Sequence, residues 1–191
     1  MTTLSSKKSI NRSPLRFGFI LIPLALAWFA LSPTSLAQLP SPAPDGGYPG
    51  NNTAEGTNAL FSLTTGAVNT AIGFQALLAN TTDGEVAVGY QALRSNTTSG
   101  GLTAVGYQAL YSNTTGGGNT AMGNQALYSN TTGNQNVGYG NLTLLSNTTG
   151  NRNTAVGNQA LENNTTGNNN TATGQLALFS KHDWQQQHVR R

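Results

Sequence analysis

The sequence contains no cysteine, and only 8% of its 191 residues are charged. The missing cysteine excludes a disulfide framework, a thiolate zinc site and a cysteine nucleophile, while leaving the redox state of the compartment open. So little charge is unusual for a soluble surface and does not favour an ordinary globular domain. The charge is also unevenly placed. Four of the nine basic residues, Lys7, Lys8, Arg12 and Arg16, fall near the N-terminus. From Gln38 onward, five bases (Arg94, Arg152, Lys181, Arg190, Arg191) face six acids (Asp45, Glu55, Asp83, Glu85, Glu162, Asp183), a net charge of −1. A chain of that kind has no electrostatic footprint for phosphate, which excludes nucleic acid as a partner.

Long apolar runs are scarce too. The one present, Phe17 to Leu31, follows the basic segment and precedes Ser35-Leu36-Ala37, small residues of the kind found before a cleavage point. This is the order of a secretory signal peptide over residues 1–37, cut after Ala37. The run is shorter than the ~20 residues that span a bilayer and holds Pro23, so an uncleaved anchor is the weaker reading. The membrane is then met only during export, and the expected location is extracellular or on the outer cell surface. Residues 38–51 are rich in Pro and Gly without apolar periodicity and read as a stiff, extended linker.

What the chain has in quantity is repetition. Asn-Thr-Thr triplets begin at Asn80, Asn96, Asn113, Asn130, Asn147 and Asn164, spaced by 16 residues once and by 17 thereafter. Extended over 52–180, the frame gives eight copies, starting at Asn52, Asn69, Glu85, Leu102, Asn119, Asn136, Asn153 and Asn170, the last cut short. Every copy keeps a glycine (Gly56, Gly73, Gly89, Gly106, Gly123, Gly140, Gly157, Gly174) and a leucine (Leu60, Leu77, Leu93, Leu110, Leu127, Leu144, Leu161, Leu178). Alanine fills the slot two residues before the glycine and the slot just before the leucine, except at Gly138 and Thr143.

A unit this short cannot enclose a core alone, so the copies must stack. The pattern predicts a parallel β-solenoid of about eight 17-residue coils, with glycine holding the coil geometry and Ala, Ile/Val and Leu forming apolar columns inside it. Thr-Ala-Val reads as one short strand per coil. Asn-Thr-Thr-Gly reads as a turn, with Asn bonding its own backbone and Gly free to take positive φ. The Gln-Ala-Leu half fits either a short helical turn, slightly preferred, or a second strand. A bulge or changed loop is expected at the short second copy near Asp83 and at the divergent sixth copy from Asn136. The apolar burial of so small a unit falls short of its ordering entropy, so backbone ladders and stacked Asn and Thr columns must contribute. Outward-pointing Phe74, Tyr90, Tyr107, Tyr111 and Tyr128 would favour packing against further copies of the chain.

The copies NTAIGFQALLANTTDG, LTAVGYQALYSNTTGG and NTAVGNQALENNTTGN resemble the head repeats of YadA-like trimeric autotransporter adhesins and related phage-fibre-like surface proteins. The resemblance covers about Asn52 to Ser180. It implies a left-handed parallel β-roll, a homotrimer, and attachment of the cell to surfaces or extracellular matrix. The longer QALxxNTTG half departs from the better-known heads, and the chain shows neither a coiled-coil stalk nor a β-barrel anchor. Residues 181–191, KHDWQQQHVRR, bear no relation to the repeat and read either as a truncated copy or as an end cap.

Sharper chemistry finds little support. The triplets match the N-glycosylation acceptor pattern, but a repeated turn produces the same string. Calcium-binding β-rolls need an Asp in every turn, and only Asp83 lies in the array. His182 and His188 sit in the polar tail without a carboxylate constellation. Asp83 with Glu85 is the only close acidic pair, and no repetition backs it, so no catalytic, cofactor or metal residue is assigned and the chain reads as a non-enzyme. A second functional class is an ice- or crystal-binding solenoid. Its candidate array is the paired threonines from Thr81 and Thr82 to Thr165 and Thr166, although strand positions serve such a face better. A third class is a passive spacer of a fibre.

Overall fold

The computed structural model describes residues 47–179 and 188–190. The basic segment, the apolar run, the cleavage point after Ala37, the linker up to Gly46, His182 and most of the tail lie outside the described residues. The Thr-Ala-Val slot of each copy, β-branched at two of three positions in five of the eight, is extended, and eight such strands follow one another: β2 Asn52–Glu55, β3 Thr70–Ile72, β4 Val86–Val88, β5 Thr103–Val105, β6 Thr120–Met122, β7 Val137–Tyr139, β8 Thr154–Val156 and β9 Thr171–Thr173. Each pairs in parallel with the next, Thr53 beside Thr70, Thr70 beside Val86, and so on to Thr154 beside Thr171. The chain is therefore a parallel β-solenoid that advances one strand per repeat.

The remainder of each coil is not helical, and the physical reason lies in its backbone. Both Gln108 (φ 52) and Leu110 (φ 52) are left-handed, and the same two slots are left-handed in every coil from Asn58 and Leu60 to Leu176 and Leu178. A right-handed helix cannot pass through alternate residues of that kind. Their hydrogen bonds instead run between coils: Gln108 N–H donates to Tyr90 O (2.9 Å) and Leu110 N–H to Ala126 O (3.0 Å). The helical turn preferred from the Ala and Leu content is thus replaced by a chain of turns tied to the coils on either side.

Inside, the columns differ from the sequence expectation in one respect. The strand alanines are buried, as are the Ala-Leu pairs opposite them except half-buried Ala59, with Leu60 through Leu161 fully buried and Leu178 nearly so. The Ile/Val slot points outward, because neighbours on a strand alternate faces: Ile72, Met122, Tyr139 and Val156 are exposed. Asparagine takes the interior room left beside the alanines, in two buried files. No strand bulge forms at the second or sixth copy, since strand register continues through β4 and β7; the changed loop expected near Asp83 is present as a turn one residue shorter than those of the other coils. In the sixth copy, two departures from alanine compensate each other. A Cβ on Gly138 would lie 2.9 Å from Thr143 Oγ1, so the smaller residue makes room for the larger one.

The two sheet edges are occupied. β1, Gly47–Tyr48, pairs antiparallel with β2, and β10, His188–Arg190, pairs parallel with β9. His188 lies beside Thr171, one repeat further on, so part of a tail that carries no repeat motif still supplies a rung.

Candidate functional site

The glycine repeated in every copy closes the strand at a corner where no side chain fits. Gly106 sits at φ +140, and a Cβ there would overlap the Gly123 carbonyl of the next coil. Gly56, Gly73, Gly89, Gly123, Gly140 and Gly157 stand in the same relation to their successors, and Gly174 shares the positive φ. The glycine after the Asn-Thr-Thr triplet differs from expectation. Gly116, Gly133 and Gly150 are not at positive φ. They are required for space, since a Cβ on Gly116 would overlap Gly133 O and approach Asn113 Oδ1 to 2.9 Å.

The triplet asparagines form one buried file. Asn130 Nδ2 donates to Asn113 Oδ1 (2.8 Å) and to Gly133 O (3.0 Å), and Asn147 Nδ2 donates in turn to Asn130 Oδ1 (2.8 Å). The file runs from Asn80 to Asn164, whose Oδ1 accepts nothing among the described residues. The asparagines before the strands form a second file. Asn119 Oδ1 accepts the Asn136 N–H (2.8 Å), and Asn119 Nδ2 donates to Gly133 O (2.7 Å). These ladders satisfy buried backbone groups that a narrow coil cannot pair with itself. A half-buried glutamine ladder, Gln125 to Gln108 to Gln91 to Gln75, runs along one corner.

Glu85 replaces asparagine in the second file. It is fully buried, its Oε2 accepts the Leu102 N–H (2.9 Å), and its own N–H donates to Asn69 Oδ1 (2.9 Å). Burial pushes its carboxyl up to about 7, opposed by hydrogen bonds from the Leu102 backbone, the Thr82 hydroxyl and the Gly101 backbone, with a further upward push from Asp83. Asp83 itself is exposed and accepts the Ala67 N–H (2.7 Å), so the acidic pair has separate structural roles. Among the described residues, no group of three or more His, Asp and Glu is placed to hold a metal ion. No helix there is long and apolar enough to cross a membrane.

Two outward surfaces stand out. On the strand face, a threonine file (Thr53, Thr70, Val86, Thr103, Thr120, Val137, Thr154, Thr171) runs beside the Ile/Val file. At its corner Phe74, Tyr90 and Tyr107 are exposed and stacked, with ring centroids 5.2 Å apart. On the Gln-Ala-Leu side, Tyr111 and Tyr128 are half-buried and stack at 5.1 Å, with the Arg94 guanidinium 5.6 Å over Tyr111. The triplet threonines are less available than expected: Thr97, Thr114, Thr131 and Thr148 donate their hydroxyls to carbonyls of the next coil. That commitment was not legible from the sequence, where both threonines of a triplet look alike.

The fold and these faces define a β-solenoid repeat protein whose surface is organised in files. No protein-family model, curated protein or solved structure matches the chain.

Proposed function

We propose that the chain is an exported, non-catalytic surface module that attaches to surfaces or extracellular matrix through its repeated outward faces. The observation that carries this reading is the uncharged outward file of the six inner coils, Ile72, Val88, Val105, Met122, Tyr139 and Val156, ending in polar Glu55 and Thr173 at the outermost coils. A contiguous outward apolar strip, exposed at Ile72, Met122, Tyr139 and Val156 and half-buried at Val88 and Val105, marks a contact surface. The two aromatic stacks lie in different slots of the repeat, which favours a heterologous contact between copies that closes into a ring, and the resemblance to adhesin heads makes that ring a homotrimer. A spacer extended by end-to-end strand pairing is less well supported, since β1 and β10 occupy the sheet edges.

The test is sedimentation of residues 38–191 together with attachment of beads coated with them. A trimer that holds coated beads on matrix proteins or abiotic surfaces is the expected result. A clean monomer removes the trimer, and beads that wash off every surface overturn the attachment reading.

A further inference from the structure

We propose that the outward face of β2–β9 is an ice-binding face. The inference rests on the attachment reading and names the surface. Because the eight strands are parallel and in register, equivalent outward side chains repeat at one strand spacing, ~4.8 Å, and the two outward residues of each strand lie ~6.6 Å apart. The face is therefore a two-dimensional net about 34 Å long, regular in both directions as the surface of a crystal is.

Its chemistry fits frozen water. The hydroxyls of Thr53, Thr70, Thr103, Thr120, Thr154 and Thr171 make no hydrogen bond among the described residues, in contrast to the first threonine of the triplets, Thr97, Thr114, Thr131 and Thr148. Each is half-buried between its neighbours in the file, and threonine is stiff at χ1, so the hydroxyls are ordered before anything binds. Val86 and Val137 keep the shape of threonine without its hydroxyl. The adjoining Ile72, Val88, Val105 and Val156 add methyl groups, and Met122 and Tyr139 interrupt that second file. From Thr70 to Thr173 neither file carries a charge, which suits a neutral solid and not an ionic one. A polysaccharide fits less well. The Phe74, Tyr90 and Tyr107 rings stack face to face along the file, at interplanar angles of 15° and 7°, so they offer edges where a sugar ring needs faces.

The test measures thermal hysteresis and partition into a growing ice hemisphere for the purified full-length chain, for the double variant Thr103→Lys with Thr120→Lys, and for Thr132→Lys on the turn. Thr132 is exposed and its hydroxyl unpartnered, which makes it the control for the other threonine file. Thermal melts confirm that each variant is folded. The expected result is ice partition by the parent chain, lost by about tenfold or more in the strand variant, where an ammonium group is desolvated without a partner, and kept in Thr132→Lys. A parent chain excluded from ice overturns the proposal, as does a loss that follows Thr132→Lys instead. A concentration-dependent oligomer that the strand variant dissolves, without ice activity, assigns the face to a second copy. Coated beads that hold to matrix while the chain is excluded from ice sink this inference and leave the attachment reading standing.

Discussion

Val68 sits at φ 54 with 55% of its surface exposed, a left-handed conformation for a β-branched residue that makes little use of its side chain. The same slot holds Gly84, Gly101 and Gly118 in the next three coils, all at positive φ. Val68→Gly is expected to stabilise the protein by about 1 kcal/mol, read as a higher urea midpoint. An unchanged midpoint would place the strain elsewhere. Glu85 makes a pH-dependent prediction. With its carboxyl raised from 4.5 to about 7, the folded chain holds a proton that the unfolded chain has lost between those values. Stability from this group is therefore present at low pH and declines as pH rises through that window, by no more than about 2 kcal/mol because the turn above it is open to solvent. Glu85→Gln should raise the melting temperature at pH 8, leave it nearly unchanged at pH 4.5, and flatten the slope between; a slope that persists in the variant assigns the dependence to another group.

The asparagine files operate at the scale of the coil. Asn130 exchanges hydrogen bonds with Asn113, Gly133 and Asn147, all in the interior. Asn130→Ala removes these and leaves buried partners unpaired, at an expected cost of about 2–4 kcal/mol in chemical denaturation. Asn134 belongs to an exposed file with Asn151. Asn134→Ala is expected to cost under about 1 kcal/mol, since water replaces the lost partner. Equal losses at the two sites would contradict the role assigned to burial. The sequence marks Asn130 and Asn134 alike as repeated asparagines, and only the packed coil distinguishes a file that closes the core from one that lines the surface.

Across the whole molecule, stability is shared between nearest neighbours, because each coil contacts the next through its backbone ladder and its leucine. Leu110 lies in the middle of the column and is fully buried. Leu110→Asp places an unpaired charge there and is expected to unfold the array as one unit; intact circular dichroism with the parent melting curve would refute column stacking. A constant period in the sequence is enough to require stacking, since a seventeen-residue unit cannot bury a core alone and equal units meet equal neighbours. The repeated glycines and leucines are legible for the same reason. Two matters were decided only by the tertiary structure. The Ile/Val file lies outside because strand alternation, once Ala71 and its equivalents are turned inward, leaves it no other side. The Gln-Ala-Leu half is a series of left-handed turns because its N–H groups find carbonyls on neighbouring coils, partners that local propensity cannot register.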